Sequence, residues 1–425
     1  MRILLTGATG FIGSAFARKL REQDHALRLA VRDVDRGKRY WPDAEIVQAD
    51  FANLVDSAGW QPLLADVDVV INAVGLISEH GGETFETVHV KAALALFDAA
   101  ERSTVKRVIQ ISALGADAAA TTAFHRSKRT ADQALLDSDL ACCIVQPSLV
   151  YGSGGSSAAQ FDRMALQAFI ALPGQGMQRV QPIHIDDLCD AITALLQMPI
   201  MPSRLAAVGA QCVTLRAYLS TLRNALGGGR ARFVPIPAYL LEAAAIIGKY
   251  WKGAPIDPDR LSMLERGNCA DVAAIRAVLG RLPRAPDQFL PPAEAAVHAR
   301  AARTAAALLW LRLSVAAIWL ISGIVSLGMW PVADSLAMLA RCGLHGALAY
   351  AALYASAAMD IAFGVATLAL RKRLRLYRLQ IGLILAYSAI IAACISELLW
   401  HPFAPIVKNL CMVAAIWLLH QAERT

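Results

Sequence analysis

The sequence predicts two folds in one chain. Residues 1–298 are expected to form a doubly wound parallel α/β sheet with a smaller substrate subdomain, and residues 299–425 an all-α bundle of four transmembrane helices. Three observations predict this. Short β-type runs alternate with helical stretches through the first 150 residues. A glycine-rich turn follows the first run directly. Charge then nearly vanishes from long stretches after about residue 304.

The β-type runs lie at 3–6, 27–31, 67–71, 107–112 and 142–146, with helical patterns between them at Phe11–Arg21 and 88–101. Such alternation builds parallel strands joined by crossover helices. After Tyr151 the pattern loosens. Helices are expected at 186–196, 215–226 and Ala238–Tyr250, punctuated by three glycines at 227–229 and a Pro-rich stretch at 283–292.

Of the 425 residues, 56% are hydrophobic and 18% charged, with a mean hydropathy of +0.44. Soluble domains carry about 45–50% and about 25%. A disordered chain, a collagen-like chain and a disulfide scaffold are thereby excluded. The net charge of +7 has a location: from Ala299 onward there are 11 Lys/Arg and 4 Asp/Glu, whereas the first 298 residues hold 30 of each. Nucleic-acid binding needs clustered cations, so a neutral globular part argues against it. The surplus sits beside apolar segments and reads as membrane orientation.

Four segments are long and apolar enough to span: 313–330 and 379–396 carry no charge, 347–370 carries only Asp360, and 403–420 only Lys408. Met1 leads into the apolar run without a signal-peptide pattern, so the N-terminal part is expected in the cytoplasm. The loop after the second span, 371–378, would then be cytoplasmic, and it carries five cations. The outer loops carry Arg341 and nothing further. Both termini are expected inside, at the inner face of a bacterial-type membrane. Asp360 lies mid-span, where a structural pairing with a cation competes with a proton or quinone role. Glu397 and Lys408 lie near the outer end, and Arg312 can snorkel to the interface.

The eight cysteines, at 142, 143, 189, 212, 269, 342, 394 and 411, show no metal spacing. They are expected to be free, buried thiols in a reducing compartment. Neither a metal-ligand cluster nor a hydrolase triad pattern is visible.

The segment Ile3-Leu4-Leu5-Thr6-Gly7-Ala8-Thr9-Gly10-Phe11-Ile12-Gly13 reads as strand, turn and helix start. Gly7 allows the tight turn, Gly10 lets backbone approach a diphosphate, and Gly13 lets the helix pack close to the sheet. The helix N-terminus then offers free N–H groups to phosphate. At the end of the second run, Arg32 precedes Asp33. An arginine there accommodates the 2′-phosphate of NADP and an acid bonds the free ribose of NAD. Arg32 comes first and Arg36 follows, so NADP(H) is expected, with NAD the alternative.

The stretch TGATGFIG resembles the nucleotide loop of the short-chain dehydrogenase/reductase superfamily, in its extended or atypical branch. Asp50-Phe51, Asn72-Ala73-Val74-Gly75, Ile111-Ser112-Ala113-Leu114-Gly115-Ala116, Pro147-Ser148-Leu149-Val150-Tyr151-Gly152 and Pro182-Ile183-His184-Ile185-Asp186-Asp187 resemble later signatures of that branch, in order. The likeness covers roughly residues 1–290. It points to the group containing the accessory subunit of respiratory complex I. It implies a Rossmann-like fold and a cofactor set of Gly7, Thr9, Gly10, Phe11, Ile12, Gly13, Arg32, Asp50, Phe51, Ala73, Val74, Gly75, Lys128 and Pro147. Ser112 and Lys128 are implied as catalytic residues. The four spans, with Gly343-Leu344-His345-Gly346, resemble the DoxX-like family of four-helix membrane proteins, some linked to quinone chemistry.

One departure stands out. The superfamily's Tyr-x-x-x-Lys pair is here Phe124-His125-Arg126-Ser127-Lys128. Phenylalanine has no proton to exchange. His125 points about 100° around the helix from Phe124 and is expected to be exposed. It and Tyr151 are minor replacement candidates. Asp186 and Asp187 are expected to cap a helix. The first reading is therefore a membrane-tethered NAD(P)H oxidoreductase acting on a lipophilic substrate: a quinone, an isoprenoid or a lipid-linked group. The second is a non-catalytic dinucleotide-binding assembly or sensing factor for a membrane complex or homo-oligomer. A sugar-nucleotide epimerase or dehydratase also needs the missing tyrosine and ranks below both.

Overall fold

A computed structural model describes residues 1–79, 81–250, 258–400 and 406–424. It divides into two compact units, Met1–Ala302 and Arg303–Thr425.

The first unit is built on seven strands: β1 (Arg2–Thr6), β2 (Ala26–Val31), β3 (Glu45–Gln48), β4 (Val69–Asn72), β5 (Arg107–Ile111), β6 (Ala141–Pro147) and β7 (Arg204–Ala207). They lie in the order β7-β6-β5-β4-β1-β2-β3, and every pairing is parallel. Leu5 stands opposite Leu29 on one side and Ile71 on the other. Side chains alternate along β1. Ile3 and Leu5 join one core with Phe16, Leu20, Leu188 and Ile192, while Leu4 joins another with Val70, Leu96, Phe97 and Leu135. Helices α1 (Phe11–Arg21) and α5 (Ile185–Gln197) supply the first face. Helices α3 (Ala92–Glu101) and α4 (Ala123–Leu136) supply the second, and α2 (Val34–Tyr40) links β2 to β3. Burial on both faces is why these strands read as unbroken apolar runs. Each buried Leu or Ile contributes about 1.5–3 kcal/mol.

After β3 the chain crosses back past β1 to β4. The crevice where strand order reverses therefore lies at the C-terminal ends of β1 and β4. The sequence runs missed β3 and β7. β3 is a four-residue edge strand with only two apolar residues, Ile46 and Val47, between Glu and Gln, and β7 reads Arg-Leu-Ala-Ala with no β-branched residue, so β3 is too short and β7 too plain to stand out. The helix expected over 88–101 begins as a π-helical turn, Glu86–Lys91, that leads into α3.

Beyond β6, short strand pairs form the smaller subdomain around a third core containing Tyr151, Ile170, Leu172, Tyr218 and Phe289. Here the expectation of free thiols is corrected: Cys212 and Cys269 form a disulfide. Strand Arg179–Val180 brings them together. It pairs with Val213–Thr214 on one side and bridges to Asn268 on the other. No spacing rule could show this, because the two cysteines stand 57 positions apart and are brought together by strand pairing. The capping expectation is also corrected. His184 is the N-cap of α5, its ring accepting from the Asp186 N–H. Asp187 is buried and accepts from Arg281 and from the Arg284 backbone, both at 2.7 Å.

In the second unit three helices are long and apolar enough to cross a membrane: Pro292–Met329, which begins in the first unit, Gly346–Ala369 and Leu374–Cys394. Four were expected. Residues 403–405 of the fourth lie outside the described residues, and what is described is the 14-residue helix Asn409–Ala422. A helix not foreseen, Val332–Arg341, follows the first span. Asp360 accepts from Ser322 at 2.9 Å, so a hydroxyl stands where a cation was considered. Arg312 pairs with Glu423 at 2.6 Å, and Arg341 with Glu397.

The disulfide closes a 57-residue separation, for which chain-entropy arguments give about 4 kcal/mol. Cys212→Ser should lower the unfolding free energy of the first unit by about 2–4 kcal/mol. Denaturant titration checks this: dithiothreitol should produce the same loss in the parent protein and no further loss in the variant.

Candidate functional site

The crevice is lined first by the glycine turn. Gly7 adopts φ +71°, a left-handed conformation that disfavours any side chain. A Cβ on Gly13 would fall 2.2 Å from the Gly7 carbonyl oxygen, so only glycine lets α1 come this close to the turn. Gly10 is the N-cap of α1, with no side-chain cap and no acidic residue in the first turn. A Cβ there would meet only the Gly7 oxygen within 4 Å, leaving its outer side open. The amides of Phe11, Ile12 and Gly13 thus start a helix with open space before them. That arrangement fits the diphosphate of a dinucleotide. Thr9 lies in this loop. The Phe11 ring turns away, and a Cβ on Gly155 would sit 2.9 Å from its tip. The Trp41 indole donates to the Ala8 carbonyl at 3.1 Å and anchors the turn from behind.

The opposite wall is the end of β4. A buried chain of polar side chains crosses three strands: Thr6 donates to Asn72 at 2.7 Å, and Asn72 donates to Gln110 at 2.8 Å. The Ala73 N–H donates to the Thr6 hydroxyl at 3.1 Å. This fixes the backbone of Ala73, Val74 and Gly75 facing the glycine turn. A Cβ on Gly7 would touch the Ala73 carbonyl at 2.9 Å.

Lys128 closes the floor. It is buried, and its ammonium donates to the Val74 and Ile111 carbonyls at 3.2 Å each. A Cβ on Gly75 would lie 3.1 Å from Nζ. Burial pulls the Lys128 pKa down to about 8, against the pull of Asp132. Asp132, one helical turn on, is buried and accepts from Ser112 at 2.5 Å. Burial pushes its carboxyl up to about 6, while Ser112 and Lys128 act in the other direction. Among the described residues its second oxygen accepts no hydrogen bond. Ser112, Asp132 and Lys128 therefore form one compact titratable group under Gly75. Sequence reasoning named Ser112 and Lys128 and missed Asp132, although its i+4 spacing from Lys128 is a usable signal.

The tyrosine position is occupied by an aromatic cluster. Phe124 meets His89 edge-on at 5.6 Å and His125 at 5.3 Å. His89 was not legible in the sequence, since it lies on the π-helical turn. Its Nε2 accepts from the Leu76 N–H at 2.8 Å, and its Nδ1 faces Ser127 at 2.9 Å. Ser127 in turn donates to the Phe124 carbonyl at 2.8 Å. Every atom of this chain has one role, which keeps His89 neutral. Burial, helped by Lys128, pushes its pKa down to about 2. His125, expected to be exposed, is buried beside Gly115 and Thr122. Burial and then the Arg266 charge lower its pKa. Arg266 makes a bidentate pair with Asp117 at 2.6 Å and donates to the Gly115 carbonyl at 2.8 Å. Tyr151 is removed as an acid/base candidate: its hydroxyl donates to Asp162 at 2.7 Å, and burial raises its pKa strongly.

Four expected cofactor residues lie farther out. Arg32 follows β2, is 64% exposed and pairs with Glu83. The Asp33 carboxylate caps α2 by accepting from the Arg36 N–H at 2.9 Å. Asp50 accepts from Ala52 and Asn53 and closes its own turn. The Phe51 ring is corrected to a core residue, packed edge-on against Trp60 at 5.1 Å, so it has only its backbone to offer a ligand. Pro147 ends β6, and its carbonyl accepts from the Leu114 N–H at 2.9 Å.

The Lys128 shift has a stability consequence. Its ordinary value is 10.5 and its folded value about 8. Between these the native state has released a proton that the unfolded chain still holds, so stability rises with pH across that window. The full rise is about 3 kcal/mol. Denaturant titrations at pH 8 and pH 10 should show most of it in the parent protein and none of it in Lys128→Met.

Comparison with known proteins agrees with this geometry. Residues 3–203 match the NAD dependent epimerase/dehydratase family, and residues 316–417 the DoxX-like family. A ceramide reductase of Caulobacter vibrioides is 28% identical over 199 residues, 47% of this chain and 62% of that protein. NADH dehydrogenase (ubiquinone) 1 alpha subcomplex subunit 9, mitochondrial, of Arabidopsis thaliana is 26% identical over 201 residues, 45% of this chain and 49% of that protein. The chain thus spans about half to three-fifths of these relatives' length. The NADPH-dependent quinone oxidoreductase of Escherichia coli, solved with NADPH, shares the fold at a TM-score of 0.55 and 18% identity, over 68% of this chain and 98% of that one. The N-terminal region thus matches the NAD dependent epimerase/dehydratase family and shares the Rossmann-like fold of its solved neighbours, and the C-terminal region matches the DoxX-like family.

Proposed function

We propose that the protein is an NAD(P)H-dependent reductase held at the inner face of a bacterial-type membrane. Its substrate is lipophilic: a quinone, an isoprenoid or a lipid-linked group. The observation that carries this reading is the buried Ser112–Asp132–Lys128 group at the crevice floor. The dinucleotide supplies hydride when bound. The chain must then supply a proton to the substrate oxygen, and Phe124 has none. Asp132, with its pKa raised toward neutrality, can pass a proton to Ser112 Oγ as that hydroxyl gives its own to the substrate. Lys128, cationic below about pH 8, holds the floor positive. The relative called ceramide reductase supports reduction of a lipid-like substrate. The apolar helices support keeping the protein at lipid, and the five cations of the 371–378 loop support placing that loop on the cytoplasmic side.

NADP(H) is the cofactor in this reading. Asp33, the residue that would bond a free ribose, is spent on the α2 cap, whereas Arg32 is exposed. A second reading, a dinucleotide-binding subunit without turnover, is favoured by Phe124 and by the complex I relative.

The test uses the full chain in detergent. Arg32→Ala should weaken NADPH binding by about 10–100-fold, a loss of about 1.5–3 kcal/mol, and leave NADH binding unchanged; equal losses would defeat the NADP assignment. NADPH oxidation over a panel of lipophilic quinones and carbonyls should fall about 10²-fold in Ser112→Ala and Asp132→Asn. Stoichiometric NADPH binding with no turnover across the panel would establish the second reading instead.

A further inference from the structure

A second chemically organised group lies in the smaller subdomain. Ser153 Oγ is 2.9 Å from His298 Nε2, and His298 Nδ1 is 2.7 Å from Asp162 Oδ2. The other Asp162 oxygen accepts the Tyr151 hydroxyl at 2.7 Å. We infer that Ser153, His298 and Asp162 form a nucleophilic serine site that cleaves carboxylic esters.

The hydrogen bonds assign the roles. A carboxylate accepts only, so His298 Nδ1 carries its proton toward Asp162. Nε2 is then the free lone pair, facing the Ser153 hydroxyl. Tyr151 fixes the acid from its far side, so the imidazole has one orientation. Exposure is graded in the matching order. The Asp162 side chain is 3% exposed, the His298 side chain 13%, and Ser153 lies open on its loop. A purely structural tie would have no need to leave its hydroxyl in solvent.

The surroundings suit an acyl transfer. Ser153 sits in Gly152-Ser153-Gly154-Gly155, where Gly154 takes φ +88° and Ser153 itself is exposed. The loop leads directly into helix Ser156–Ala165, whose N-cap is Gly155, with no side-chain cap and no acidic residue in its first turn. The amides of Ser156 and Ser157, at the open start of this helix, are the donors available to a developing oxyanion. The members are 9 and 136 residues apart from Asp162, which is why no motif showed them.

The step balances with water as co-reactant. Ser153 Oγ bonds to the ester carbonyl carbon and its proton passes to His298 Nε2. The ester C–O bond breaks, and the leaving alkoxide takes that proton. Water then bonds to the acyl carbon, giving a proton to Nε2. The acyl–Ser153 bond breaks, and Oγ recovers the proton as the carboxylic acid leaves.

The experiment treats the full chain in detergent, without dinucleotide, with an alkyl fluorophosphonate and with p-nitrophenyl acetate and octanoate. One adduct is expected, mapped to Ser153 by mass spectrometry and absent in Ser153→Ala. Labelling and ester cleavage should both slow by about 10²–10⁴-fold in His298→Ala and Asp162→Asn. Melting curves verify that each variant is folded, and the conservative Ser153→Ala on its exposed loop keeps the test intact if the other two unfold. No adduct at Ser153 in the folded parent protein, or a labelling rate unchanged by His298→Ala, would overturn the proposal. Omitting the dinucleotide makes the outcome independent of the reductase reading.

Discussion

The approach of α1 to the first turn governs the rest of the N-terminal unit. Gly13 lies against the Gly7 carbonyl at a distance that excludes a Cβ, and Gly7 lies against Ala73 in the same way. Two glycines thereby lock three segments, from β1, α1 and β4, around one crevice. Free helix amides face that crevice because nothing caps them. Buried amides without partners cost about 1–3 kcal/mol each. The site is therefore kept open to water or to a ligand that can accept from it, and a diphosphate can do so.

On the opposite wall the fold spends buried polar groups freely. Thr6, Asn72 and Gln110 bond one another in the middle of a parallel sheet. Their geometry is satisfied, so they hold the β4 end in one conformation rather than weaken it. Lys128 depends on that wall, because two carbonyls and a glycine define its pocket. That pocket is complete although Phe124 stands at the tyrosine position. Beside it Asp132 accepts from Ser112, so a carboxyl, a hydroxyl and an ammonium share one buried corner. Ordered, costly burial of two opposite charges is weak support for stability.

The sequence made local features legible and hid distant ones. The glycine turn, the helix Phe11–Arg21, the alternation of Ile3, Leu4 and Leu5, and the Phe124–Lys128 spacing are all written within a few residues. β3 was missed because Ile46 and Val47 make too short a run, and β7 because Arg-Leu-Ala-Ala has no β-branched residue; both are fixed as strands by pairing with β2 and β6. Cys212–Cys269 and Ser153–His298 join residues that only tertiary packing brings together. His89 was hidden by the π-helical turn, which shifts side-chain phase relative to an α-helix. His125 was misjudged for a different reason. Helix phase predicts which face it lies on, but not that Gly115 and Arg266 cover that face.

The charge surplus can be taken one step further with the pairings in hand. Arg312 and Arg373 both reach Glu423, at 2.6 and 3.4 Å, and the Tyr377 hydroxyl donates to the same carboxylate at 3.0 Å. These cations are spent on holding the last helix, so they contribute little to an external field. Arg371, Lys372, Arg375 and Arg378 are exposed, and among the described residues none has an ion pair. At an anionic membrane surface each such cation is worth about 1 kcal/mol. The orientation signal therefore rests on these four rather than on the full +7. An orientation that carried them across the bilayer would forgo that attraction and also strand the dinucleotide site away from its cofactor. These four cations are thus the part of the surplus that is left free to interact with a membrane surface.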